Sequence, residues 1–149
     1  MQFLARFLPP FFISWLFTFT LASLWHSQYV VNQLVDVGVV VAFSDRLSMT
    51  IDDWIGLLPT YGSIIAISFV LAFLVAGWIS KKAVQQRTLL FALACVVAFF
   101  TVLTAIESLM NIHVIAGARG WGLYAQLASG GIGGLLFARL SNRETAHSL

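Results

Sequence analysis

Charge is what this chain has least of. Lys and Arg together number 8 and Asp and Glu 6 in 149 residues, so charged side chains make up 9%, where an ordinary soluble domain has about 25%. So few charges cannot cover the surface of a soluble globule, which excludes a soluble enzyme, a nucleic-acid module and a disordered tail. Cysteine is almost missing as well. Cys95 stands alone, so no internal disulfide can form, and its place in an apolar run marks it as a small core residue. There is no internal repeat, no low-complexity tract, and no phosphate-loop, zinc or dinucleotide motif. The run Gly130-Gly131-Ile132-Gly133-Gly134 follows no strand pattern, so helix packing is its context rather than a phosphate cradle.

What is present is apolar. The hydrophobic set accounts for 60% of the chain, with 13 phenylalanines, and the mean hydropathy is +0.92. Four uncharged stretches, 7–25, 60–80, 88–106 and 120–138, each reach the roughly 20 residues that a helix needs to cross a bilayer. The first resembles a signal peptide in having Arg6 before an apolar core, but it is too long and lacks a small-x-small cleavage site, so it reads as a retained helix. The expected fold is an all-α integral membrane protein: one domain, residues 1–149, of four transmembrane helices with a structured outer loop between the first two.

Placement of the basic residues orients it. Arg6, Lys81, Lys82, Arg87, Arg139 and Arg143 fall on one side of these spans, and Arg46 and Arg119 on the other. The bias predicts cytoplasmic termini, in a membrane of the bacterial inner (plasma) type. Trp25, Tyr29, Trp54, Tyr61, Trp121 and Tyr124 then gather near the outer boundary and Trp78 near the inner one.

The outer segment 26–59 is too long for a bare turn. Val30, Val31, Leu34, Val35, Gly38, Val41 and Ala42 recur at helical spacing opposite Asn32, Gln33 and Asp36, which predicts a helix lying in the interface. A strand is the competitor, given the many β-branched residues, and a fifth crossing is disfavoured by the polar residues. Thr50-Ile51-Asp52-Asp53 has the spacing of a capping box, with Pro59 closing the short helix it starts. An acid pair for catalysis or a cation is the alternative for Asp52 and Asp53.

Two further patterns bear on function. In the last stretch Gly122, Gln126, Gly130, Gly134 and Ala138 recur every fourth residue, with Ala125, Ser129 and Gly133 alongside. Such a strip lets helix backbones approach closely, within one chain or between chains, and Gln126 on it needs a polar partner. In the third stretch Thr104, Glu107, Ser108 and Asn111 share a face near the outer boundary, with His113 and Arg119 following and His26 at the same level. The candidate polar site is therefore Glu107, Asn111, His113, Arg119, His26 and Gln126, with Glu107 pairing Arg119; the packing residues are Gly122, Gly130, Gly133 and Gly134. Its structural alternative is that the ion pair merely fixes the loop. No metal site is expected. Haem held by His26 and His113 is a remote alternative to having no cofactor.

These features suit a small oligomeric transporter or channel more than an enzyme. The competing readings are a non-catalytic accessory or assembly subunit of a larger membrane complex, and a haem-binding redox protein. The partners expected are the lipid bilayer and either further copies of the chain or a membrane complex, with no nucleic acid.

Overall fold

The computed structural model describes residues 2–110 and 119–146, and these are helical, with no strand among them. Helix α1 spans Gln2–Asp36, α2 Phe43–Leu57, α3 Ser63–Ser80, α4 Arg87–Met110 and α5 Gly120–Ala146. A π-helical turn, Leu58–Gly62, joins α2 to α3, and a single 3-10 turn, Val84–Gln86, precedes α4. Three helical stretches are long and apolar enough to cross a membrane: Arg6–Asp36, Phe43–Ser80 and Val84–Ser108. Helix α5 has 27 residues, but glycines and polar side chains dilute its apolar character.

The region after the first span departs from expectation. Val30–Asp36 does not form a separate interfacial helix; it continues α1, whose 35 residues extend about 52 Å at 1.5 Å per residue, well beyond a hydrocarbon core of about 30 Å. Asn32, Gln33 and Asp36, expected as the polar face of that interfacial helix, are instead exposed at the far end of this long one. Gly38 stops it. Its φ of +89° allows the Gly38 amide to donate to Val35 O and the Val39 amide to Leu34 O, both at 3.0 Å. These two bonds form a Schellman cap, which glycine adopts without the Cβ penalty.

The chain then returns along α1. Ser27 Oγ donates to Asp53 Oδ2 at 2.7 Å, Trp54 Nε1 to Thr20 Oγ1 at 3.2 Å and Trp15 Nε1 to Gly62 O at 2.8 Å, so partners on α1 move backward as those on the returning helix advance. This overturns the capping box. Because α2 begins at Phe43, Thr50 is interior, and its hydroxyl donates to Arg46 O at 2.8 Å; Asp53 is turned to Ser27 instead. Pro59 does not close the helix either. It sits at the start of the π turn, where a missing amide hydrogen is tolerated because the regular ladder is already broken.

Helix α5 lies between α4 and α1, while α3 packs on α4. Rings fill the centre: Phe73 and Phe137 stack at 3.8 Å, Phe69 and Phe73 meet at 5.0 Å, and Phe73 and Phe91 at 5.7 Å. Cys95 is buried in the same cluster. The glycines of α5 face neighbours of their own chain. A Cβ on Gly134 would run into the backbone carbonyl of Phe91, one on Gly133 into the Thr18 hydroxyl and Phe69, and one on Gly130 would stand 2.9 Å from Phe99 Cδ2. Gly122 is buried too. Bare Cα hydrogens thus meet oxygens on both adjacent helices, a geometry in which weak Cα–H···O contacts accumulate.

Candidate functional site

Among the described residues, the polar residues picked from sequence stand in different settings. Glu107 and Arg119 meet on the rim, with Oε1 and Nη2 at 3.4 Å and side chains 52% and 50% exposed. His26 and Gln126 are buried inside the bundle. Asn111 and His113 lie outside the described residues, and so does any haem ligation through His113.

The 3.4 Å contact between the half-exposed Glu107 and Arg119 side chains contributes on the order of 0–1 kcal/mol, as expected for an ion pair open to solvent. Glu107→Gln and Arg119→Gln should each shift thermal unfolding by no more than about 2 °C, with the double variant no different; a shift of 5 °C or more in either single variant would show that the pair anchors the loop.

A longer polar seam runs along α1. Ser14, Thr18, Ala22, Ser23, His26 and Ser27 lie on a face that repeats every three to four residues, and all are buried. Helix α5 covers it, since Gln126 Nε2 donates to Ala22 O at 2.9 Å. Gln126 Oε1 in turn accepts from Tyr61 Oη at 2.9 Å, so this amide links three helical segments with no solvent contact. A carboxamide in an apolar interior must find such partners, because leaving one group unsatisfied costs several kcal/mol in hydrocarbon. At one end of the seam Ser27 holds Asp53, whose carboxylate is near enough to act electrostatically on His26. Toward the middle, the hydroxyls of Ser14, Thr18 and Ser23 are buried without a hydrogen-bond partner among the described residues. Serine and threonine in helices usually donate to the carbonyl four residues back, as Ser27 does to Ser23 O at 3.1 Å.

The π turn places two members of this site. Its wider winding carries Tyr61 inward to Gln126 and presents Gly62 O to Trp15. A cavity of about 10 Å³ lies beside Tyr61, bounded also by Ser68 and Phe99, close to the smallest space that admits one water. Sequence reasoning missed Ser14, Thr18, Ser23, Ser27 and Tyr61 as members of this site, and weighed Asp53 only as a cap residue or as half of an acid pair with Asp52. The available signal was the recurrence of small hydroxyl residues every fourth position in the first span, matching the glycine strip of the last.

Among the described residues no group of three His, Cys, Asp or Glu gathers that could hold a metal ion. Comparison with family models, with curated proteins and with solved structures finds no match to this chain. The class that fold and site define is thus a helical protein of membrane type with a buried polar seam.

Proposed function

We propose that this protein is a small multi-pass carrier or channel for an ion or small polar solute, with four crossings, both termini cytoplasmic, and the α1 seam as its path. The observation that carries the reading is the set of three unpartnered hydroxyls, Ser14, Thr18 and Ser23, in the bundle interior. Polar groups at membrane depth are expensive and mark pathways by default. Hydroxyls without internal bonds keep their donor and acceptor capacity for a passing solute. The π turn supports the same reading, since π bulges recur at functional sites, and rewinding it would swing Tyr61 away from Gln126 and open the seam.

The test is flux through the purified protein in liposomes, with proton, potassium and urea gradients as probes. Wild-type vesicles should dissipate at least one gradient faster than empty ones. Thr18→Val, which removes the hydroxyl at nearly constant volume, should slow that flux at least tenfold while thermal unfolding stays within a few degrees. Failure of all three gradients, together with migration in a larger complex in mild detergent, would replace this reading by the accessory-subunit one.

A further inference from the structure

The opposite end of the bundle carries a second feature that the seam does not use. A cavity of about 450 Å³ opens where the start of α1, the end of α3, the start of α4 and the end of α5 converge, with Arg6, Lys81 and Arg87 on its walls. None of the described residues lining it is acidic. Its volume falls in the range of roughly 300–1,000 Å³ typical of small-ligand sites.

The cavity is built rather than incidental. The Arg87 guanidinium is fixed on two sides: Nη2 donates to Ser141 Oγ at 2.9 Å, and the group lies 5.2 Å over the Phe91 ring. Ser141 itself donates to Ala138 O at 3.2 Å, which holds the acceptor in place. A guanidinium held this way still has donors left for a planar, two-point contact to phosphate. Lys81, in the turn after α3, and Arg6, on α1, add further positive charge. Below them the floor is aromatic, with Phe73 stacked on Phe137 and Phe91 at 5.3 Å from it. Leu74 and Gly77, with Trp78 beyond them, form an apolar wall. Trp78 is largely exposed on the bundle surface, and amphipathic rings of this kind mark membrane interfaces.

Three cations over an apolar floor suit an amphiphile whose head is anionic and whose body is hydrocarbon. We infer that this cavity binds the headgroup of an anionic phospholipid from the membrane leaflet facing it, with the phosphate on Arg87, Lys81 and Arg6 and the glycerol and first acyl carbons along Leu74 and Gly77. A soluble phosphate would use the same cations but leave the apolar wall unused, and a zwitterionic lipid would bring its own ammonium against three positive charges.

The full chain, purified in a mild uncharged detergent, decides this. Added phosphatidylglycerol should raise the unfolding temperature by several degrees and be retained through gel filtration, while phosphatidylcholine and inorganic phosphate at equal concentration do neither. Lys81→Gln and Arg87→Gln should each reduce retained phosphatidylglycerol about tenfold, the equivalent of one charge-assisted contact. Lys81 is exposed, so its variant retains the fold and keeps the test valid should Arg87→Gln fail to express. Equal stabilisation by phosphatidylcholine, by phosphate alone, or of the Lys81→Gln variant would overturn the assignment.

Discussion

Gly134→Ala should unfold this protein or come close to it. The single added carbon would meet the backbone carbonyl of Phe91, with Ala92 Cα immediately beside it. Backbone cannot rotate out of the way as a side-chain tip can, so α4 and α5 must move apart along their contact. Overpacking by one methyl in a tight core costs about 1–3 kcal/mol, occasionally more, and here the strain falls on main chain, so about 3 kcal/mol or more is expected, with Gly134→Leu failing to yield folded protein. The other glycines set a graded scale. Gly131→Ala meets only Val96 Cγ2 at 3.1 Å, and Gly77→Ala meets Phe91 Cζ at an ordinary 4.0 Å; the first should cost less than about 1 kcal/mol and the second, inside α3, should stabilise slightly through helix propensity. Gly56, with nothing within 4 Å of its added carbon, lies inside α2, so alanine there should stabilise by about 0.5–1 kcal/mol through helix propensity. Thermal unfolding in detergent across the four variants checks the order, and wild-type behaviour of Gly134→Ala would show that α4 and α5 are not in contact there.

The second large effect belongs to Gln126. Replacing it by Leu should cost about 1–3 kcal/mol, because Tyr61 Oη and Ala22 O would both lose a partner in the buried interior. Tyr61→Phe alone leaves Gln126 Oε1 bare and should cost about 1 kcal/mol. The double variant removes donor and acceptor together, so its cost should fall below the sum of the single costs by about 0.5–3 kcal/mol, the range for residues sharing one network. Additive costs would mean that the Tyr61–Gln126 bond is not formed. If the seam conducts, both single variants should also change flux by more than their stability loss explains.

How much of this was legible in the sequence depends on which physics each residue obeys. Hydropathy located the long apolar helices because lipid leaves no alternative to burying the backbone in hydrogen bonds. The need of Gln126 for partners followed from the same rule, although Tyr61 and Ala22 as those partners did not, since they are far away in sequence. Local motifs misled where a longer helix overrode them. Thr50 to Asp53 fit a capping box, but a cap works only at a helix start, and α2 starts at Phe43. Pro59 looked like a stop, yet a π turn absorbs it. Gly38 fits the spacing of a helical face, yet with α1 reaching Asp36 it serves instead as the cap that ends that helix.

The bond between Gln126 and Ala22 also has a consequence for biogenesis. These residues are 104 apart in sequence, and α1 meets α5 only after every intervening segment has been synthesised. Until then the Ser14, Thr18 and Ser23 face of the first helix stays uncovered, and α1 can be docked only on the returning α2–α3 arm. Assembly must therefore proceed as a late closure, with the last helix inserted between the first and the fourth in the slow, non-local step of folding. A chain stalled or clipped before Gly120 would leave that hydroxyl face without the cover that α5 supplies.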